Sequence, residues 1–170
     1  SVQYSKLMNY VGDERYEEAV DQMRKVPSFL VDQKVASYIK ATLAGERGDY
    51  ATAMELFESL GDYRDSATQL ILCQQQYEYK SIEAKMKEEL DVSTAVSLLD
   101  RLTDLKKTGF EDLTDLQPKI LEKIYQVSVE NYRSGDNNNL GFFTLAYQLN
   151  PPYKDSDKYM VLTEVREGTI

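Results

Sequence analysis

The residue types that carry most enzyme chemistry are scarce in this chain. It has no histidine, which removes Ser-His-Asp and Cys-His nucleophile systems and the common imidazole base. Its single cysteine, Cys73, lies in the stretch ILCQQQ of a predicted helix, where we expect a buried structural thiol. Carboxylates are plentiful, so composition leaves a paired-carboxylate hydrolase open. Because charge on a helical protein is usually a solvated face, we expect no enzyme activity and no catalytic residue.

The sequence does not support a metal site or a cofactor site either. Without histidine and with one cysteine, a zinc site is not expected. The stretch DNNNLG at 136–141 has a faint likeness to a calcium loop, but Leu140 and Tyr147 stand where that loop needs oxygen ligands. The chain contains no glycine-rich phosphate loop. We therefore predict no metal and no cofactor.

Tyrosine is the unusual component, with 13 of 170 residues and no tryptophan. Three tyrosines hold related positions: Tyr4 and Tyr38 are separated by one 34-residue shift, and Tyr125 precedes Gly135 by the same ten residues that separate Tyr38 from Gly48. Such a series serves either as a ladder of ligand contacts or as half-buried packing with hydroxyls at the rim. Packing is the commoner role, and both interpretations stay open here.

The charge balance limits the class of partner. The chain has 29 acidic and 20 basic residues, for a net charge of -9. That balance repels a phosphate backbone and an anionic membrane surface, so we predict no nucleic-acid partner. No run of 18 apolar residues occurs, so we predict no direct membrane insertion by this segment. Since the chain begins with Ser1, we expect it to be a piece of a longer product, whose compartment the sequence leaves open.

An apolar pattern with helical spacing recurs four times. Tyr50, Ala53, Met54, Phe57 and Leu60 form one face of an α-helix, and the same offsets fit segments that begin at Tyr16, Val92 and Asn139. Successive shifts of 34, 42 and 47 residues are typical of a helical solenoid. The first three copies have alanine at the fourth position of the pattern and a large residue at the eighth. The last copy exchanges them, with Phe142 at the fourth position and Ala146 at the eighth. We interpret this exchange as the same packing site with its volume kept.

A short ending follows two of these helices. Tyr63-Arg64-Asp65-Ser66 recurs as Tyr153-Lys154-Asp155-Ser156, and looser versions occur at 29–32 and 110–112. We expect the aspartates to cap the next helix and the aromatic residue to pack back as a hydrophobic staple.

The patterns together predict an all-α protein that forms a single domain over residues 1–170. We expect about four helix pairs and a closing helix, since each apolar face needs a covering neighbour. The predicted helices cover 2–11, 14–26, 29–45, 50–60, 65–89, 92–106, 115–134, 138–149 and 155–166.

The stretch GDYATAMELF at 48–57 resembles the second helix of a tetratricopeptide repeat. The 34-residue first shift agrees with that family, and the Tyr-x-Asp-Ser endings resemble tetratricopeptide-like repeats of bacterial proteins, which are often attached to a membrane segment. The family's tryptophan, its Leu-Gly pair and its terminal proline are missing. The resemblance implies a right-handed α-α superhelix whose first helices line a concave surface.

The resemblance assigns the tyrosine ladder to that concave surface. The expected ligand contacts are Tyr4, Tyr38, Thr42, Glu46 and Tyr125, because Thr42 and Glu46 follow Tyr38 along one helix face. We therefore predict a non-catalytic scaffold that binds a protein or peptide, with basic or polar ligands favoured by the acidic balance. The alternatives are a structural or self-association domain and, third, a carbohydrate or small-molecule binder. The mixed-sign segment 78–89 is expected to be a solvated, salt-bridged face, or else a projecting helix that docks a partner.

Overall fold

The computed structural model of the chain describes residues 1–111, 115–135, 139–149 and 153–168. Every regular element among these residues is helical, which confirms the predicted all-α class. A 3₁₀-helix at Ser28–Leu30 accompanies the following α-helices: α1 (Val2–Gly12), α2 (Tyr16–Met23), α3 (Gln33–Glu46), α4 (Tyr50–Leu60), α5 (Ser66–Lys85), α6 (Val92–Lys107), α7 (Leu116–Ser134), α8 (Asn139–Leu149) and α9 (Ser156–Glu167). No helix in this part of the chain is both long and apolar enough to cross a membrane.

The predicted start of α3 is wrong. The prediction begins this helix at Phe29, but the chain first makes the 3₁₀-helix, and Asp32 then caps α3 by accepting a 2.8 Å hydrogen bond from the amide of Lys34. A capping carboxylate satisfies a donor that the first helical turn leaves free, which fixes the start after Asp32. Phe29 is 84% exposed, so the looser ending at 29–32 has no packed aromatic residue. In the second looser ending, Asp112 lies outside the described residues.

The bounds of α5 and α2 differ as well: α5 stops at Lys85 and not at Glu89, and α2 covers Tyr16–Met23 where 14–26 is predicted. The mixed-sign segment forms ion pairs along its surface, between Lys80 and Glu83 at 3.7 Å and between Lys85 and Glu88 at 3.0 Å. These exposed pairs agree with a solvated face, although each contributes little to stability.

The chain divides into two units, Ser1–Glu78 and Tyr79–Ile170, with the boundary inside α5. We call them the N-terminal unit and the C-terminal unit and describe each by itself. The single domain expected for residues 1–170 remains a prediction.

In the N-terminal unit each helix packs on the next one: α1 on α2, α2 on α3, and α3 on α4. One apolar cluster fills the space between them, and its fully buried side chains include Leu7, Ala19, Ile39, Ala53 and Phe57. Ala53 and Phe57 come from the apolar face that the spacing predicts for α4. Helical periodicity thus identified the buried side of this helix.

In the C-terminal unit α7 and α8 are both central, since they pack on each other and each of them packs on α6 and α9. Ile120 and Ile124 of α7 are fully buried in an apolar cluster to which α8 contributes Phe142 and Ala146. Both of these α8 residues are buried, as Ala53 and Phe57 are in α4. The exchange of a small and a large residue therefore falls on a packed face, as expected from the sequence.

Candidate functional site

Tyr38 of α3 is the centre of an aromatic cluster in the N-terminal unit. Its side chain is only 6% exposed. The ring makes edge-to-face contacts with Tyr16, Phe57 and Tyr63, at centroid distances of 6.2, 6.1 and 5.9 Å. The hydroxyl group donates a 2.7 Å hydrogen bond to Asp65 Oδ1. These contacts hold the side chain in one orientation, because the ring is packed against three aromatic rings and the hydroxyl group is hydrogen-bonded.

The turn that follows α4 supplies three partners of Tyr38, which are Tyr63, Arg64 and Asp65. Arg64 has φ +50°, a left-handed conformation that is uncommon outside glycine, asparagine and aspartate. Its guanidinium carbon lies 5.4 Å from the centre of the Tyr38 ring and 5.9 Å from that of Tyr63, within the range of cation–π attraction. Asp65 also accepts a 2.9 Å hydrogen bond from Gln69 Nε2. The turn is thus tied to α3 by stacking and by hydrogen bonding.

The C-terminal unit repeats this arrangement around Tyr125 of α7. The Tyr125 and Tyr153 rings are 5.9 Å apart at 75°, against 5.9 Å and 74° for Tyr38 and Tyr63. Lys154 has φ +49°, and its Nζ lies 5.1 Å from the centre of the Tyr125 ring. Two Tyr-x-Asp-Ser turns therefore share a backbone conformation, a ring pair and a cation over the ring.

The C-terminal turn differs in its hydrogen bonds. Tyr153 donates its hydroxyl to Glu122 Oε2 at 2.9 Å, and the ammonium group of Lys154 binds the same oxygen. These contacts with Lys154 and Tyr153 lower the pKa of Glu122 below its usual value. Glu122 thus anchors this turn to α7, while Asp65 anchors the N-terminal turn to α3.

One role predicted for the turn residues needs correction. Asp155 stands at the N-cap position of α9, but its side chain makes no capping bond and accepts from Lys158 Nζ at 2.7 Å instead. Tyr63 and Tyr153 each pack on a tyrosine of an earlier helix, and their contact with the following helix stays a prediction. The turns serve to join helices that are distant in sequence.

Each turn ends in a buried serine. Ser66 and Ser156 are fully buried, and within the described residues neither hydroxyl oxygen has a hydrogen-bond partner. We expect Ser66→Ala and Ser156→Ala to leave the free energy of unfolding unchanged or to raise it by up to about 1 kcal/mol, since no bond is lost and a buried polar group is removed. Urea denaturation at neutral pH measures this. A loss above about 1 kcal/mol in either variant would show that the hydroxyl has a partner.

A cavity of about 370 Å³ lies beside Tyr38. We call it the Tyr38 cavity. Its wall includes Tyr38, Thr42 and Glu46, which are three of the five residues predicted for the ligand contacts. The Thr42 hydroxyl donates to the Tyr38 carbonyl of the same helix at 2.9 Å, which orients the threonine side chain. Sequence reasoning missed other wall residues, among them Glu14, Tyr16, Tyr50, Asp65, Gln69 and Cys73.

A second cavity, of about 330 Å³, lies at the equivalent place in the C-terminal unit. We call it the Tyr125 cavity. Val129 and Arg133 line it, at the same offsets from Tyr125 that Thr42 and Glu46 have from Tyr38. Tyr4, the remaining predicted contact, is half-buried against the core of the N-terminal unit and lines neither cavity. The predicted contacts therefore fall at three separate places, which are α1 and the two cavities.

Metal chemistry is not evident at these sites. In residues 1–111, 115–135, 139–149 and 153–168, no group of three or more metal-ligating side chains comes together. The loop 136–141, considered above for calcium, begins with residues outside this part of the chain.

The tyrosines of both clusters predict a loss of stability at alkaline pH. Burial, with the hydrogen bond to Asp65, raises the pKa of Tyr38. Burial, together with the charge of Asp155, raises the pKa of Tyr125, and burial with the bond to Glu122 raises that of Tyr153. In the unfolded chain tyrosine loses its proton near pH 10. The stability that these tyrosines contribute is therefore fully present below about pH 10. It is lost as the pH rises through their pKa values in the folded chain.

We expect a tyrosinate absorbance titration of the folded chain to show a late fraction, that is, tyrosines that lose their proton at a higher pH than ordinary tyrosine. This late fraction should be missing from the chain in concentrated urea. The midpoint of urea unfolding should fall in parallel above about pH 10. Tyr38→Phe should reduce the late fraction. Identical titration curves for folded and unfolded chain would contradict the buried, bonded state of these hydroxyls.

No known protein family matches the sequence, and no curated protein or solved structure is significantly similar to it. Function is therefore inferred from the geometry of the chain.

Proposed function

We propose that this chain is a non-catalytic recognition module, built from tetratricopeptide-like repeats, that binds a peptide or a peptide-like segment of a protein in the Tyr38 cavity. The proposal includes a right-handed solenoid of helix pairs. Its main support is that Tyr38, Thr42 and Glu46, selected from the sequence as contacts along one helix face, line a single cavity. At about 370 Å³ this cavity lies in the size range of natural ligand sites.

Rigid walls add support. The Tyr38 ring is held by three aromatic neighbours, and its hydroxyl is fixed by Asp65. A wall that is already ordered loses little conformational entropy when a ligand arrives. A tyrosine-rich surface also suits peptide contacts, because tyrosine offers a large apolar area together with a polar rim.

The recurrence of the cluster favours a repeat protein. Two turns with the same sequence pattern have matching ring geometry and matching positive φ angles. Repeats of one supersecondary unit are the basis of helical solenoids.

The test uses a matched pair of variants. Thr42→Phe places a large ring in the Tyr38 cavity, and Val129→Phe places one at the equivalent position of the Tyr125 cavity. Peptides are selected against the wild-type chain from a random library displayed on phage, and their affinities are measured by fluorescence polarisation. Thermal melts first establish that all three chains are folded.

We expect the selected peptides to bind wild type and Val129→Phe alike and to bind Thr42→Phe at least about tenfold more weakly, since the ring occupies their site. Failure to enrich any peptide would contradict the proposed function. Equal binding by all three folded chains would contradict the assignment to the Tyr38 cavity.

Two exposed apolar strips, one in each unit, favour self-association as the second candidate. Val161, Leu162 and Val165 are exposed along one side of α9, and Ile71 and Leu72 are exposed at the equivalent place of α5. Exposed apolar residues on one helix side are a common feature of interfaces between chains. Sedimentation over a range of concentrations should then show a larger species that Leu162→Lys abolishes. A constant monomer mass would exclude this candidate.

A further inference from the structure

Among the residues that the structure describes, the charged side chains that line the Tyr38 cavity are all acidic. Glu14, Glu46 and Asp65 contribute carboxylates to its wall, and none of the described lysines or arginines lines it. Its aromatic wall residues include three tyrosines, Tyr16, Tyr38 and Tyr50. We propose that this cavity selects a cationic side chain, an arginine guanidinium or a lysine ammonium, of the bound peptide. The inference rests on the proposed function and specifies the chemistry of its ligand.

Two of the carboxylates have no cationic partner among the residues that the structure describes. Within the described residues neither Glu14 nor Glu46 takes part in an ion pair, whereas the nearby Glu17 pairs with Arg47 at 2.6 Å. An arriving cation therefore has two carboxylates to approach without breaking an existing pair. Charge-assisted hydrogen bonds of this kind are the strongest in protein recognition.

The third carboxylate, that of Asp65, is held in a fixed position. Asp65 is fixed by donors from Tyr38 and Gln69, at 2.7 and 2.9 Å. Burial raises the pKa of its carboxyl group, but the hydrogen bonds from Gln69, Tyr38 and the backbone, together with the charge of Arg64, outweigh burial and lower the pKa overall, so the group is ionised at neutral pH. An ionised carboxylate has further lone pairs for a cationic donor.

One of these three rings, that of Tyr38, already has a cation of the chain itself beside it. Arg64, which is not among the lining residues, places its guanidinium carbon 5.4 Å from the centre of the Tyr38 ring. Lys154 does the same at Tyr125, at 5.1 Å. Tyrosine faces combined with carboxylates attract both guanidinium and ammonium groups.

The Tyr125 cavity provides an internal comparison. Arg133 stands there at the position equivalent to Glu46, beside Glu122 and Glu130. Glu122 is already bonded to Tyr153 and Lys154. The Tyr125 cavity thus has a cation of its own and one carboxylate fewer to offer. We therefore expect only the Tyr38 cavity of the N-terminal unit to select a cationic side chain.

The experiment measures the binding of small probes to the full chain by NMR, from shifts of the Thr42 amide and the tyrosine rings. The probes are the N-acetyl amides of arginine and lysine, each compared with a neutral analogue of similar shape, citrulline and norleucine respectively. The variant chain is Glu14→Gln with Glu46→Gln, and Glu130→Gln in the Tyr125 cavity is the matched control. All three positions are solvent-exposed, and thermal melts verify that the folds are intact.

We expect the arginine and lysine probes to bind at least about tenfold more tightly than their neutral analogues and to weaken with added salt. The double variant should lose most of this preference, and Glu130→Gln should keep it. Equal affinity for charged and neutral probes would overturn the inference, as would an equal loss in the control. Peptide binding without charge preference would leave the proposed function standing, whereas probe binding without any peptide binding would contradict the proposed function alone.

Discussion

Tyr38→Ala is expected to lower the free energy of unfolding of the N-terminal unit by about 3–5 kcal/mol, the range for removing a buried aromatic side chain. The side chain is 6% exposed and contacts the rings of Tyr16, Phe57 and Tyr63. Its loss leaves a space between α2, α3, α4 and the turn after α4, and it also removes the donor to Asp65. Urea denaturation followed by circular dichroism measures the change.

Two further variants separate the causes. Tyr38→Phe keeps the ring contacts and loses only the hydrogen bond, so about 1 kcal/mol is expected, since Asp65 remains accessible to water. Tyr77→Ala removes a tyrosine that is 49% exposed and should change stability by no more than about 0.5 kcal/mol. If Tyr38→Ala cost no more than Tyr77→Ala, Tyr38 would not be the centre of a packed cluster.

Phe143→Ala is expected to destabilise the C-terminal unit by a similar amount, about 3–5 kcal/mol. Phe143 is fully buried, and its ring stacks on Tyr159 of α9 with centroids 5.2 Å apart and planes within 3°. Tyr159 in turn contacts Tyr125 and Tyr132 of α7. Removal of Phe143 therefore weakens the contact of α9 with the rest of the unit, and urea denaturation again measures the loss.

The matched control is Tyr147→Ala, which lies one helical turn further along α8 and is exposed. It should leave stability within about 0.5 kcal/mol of wild type. Equal effects of the two substitutions would contradict the central place of Phe143 in this packing.

Helical periodicity predicted an element well where the capping residue or glycine stands directly at the end of the apolar pattern. The range 50–60 was predicted for α4 and matches it at both ends, because Asp49 accepts from the Thr52 amide and Gly61 ends the helix with φ +59°. The start of α3 was wrong because apolar residues near Phe29 continue the pattern in sequence while the cap is made by Asp32. Periodicity alone does not show where hydrogen bonding begins.

The candidate site was only partly predictable. The spacing on one helix face brought Tyr38, Thr42 and Glu46 together, because residues four apart on a helix are neighbours. Glu14 and Cys73 came from other helices or turns, and nothing in the local sequence indicates that they meet Tyr38. The basic residue in the second position of both Tyr-x-Asp-Ser turns was a visible signal for the cation over the ring. Its positive φ angle was not visible in the sequence.

The most direct measurement of the central claim uses Cys73, the only cysteine of the chain, as a reporter. It lines the Tyr38 cavity, and burial raises the pKa of its thiol, so its reaction with a thiol reagent is followed at mildly alkaline pH. If the cavity is the peptide site, a selected peptide slows this reaction in a saturable manner, with a midpoint equal to its dissociation constant. A peptide that binds the chain fully and leaves the Cys73 rate unchanged would contradict the claim.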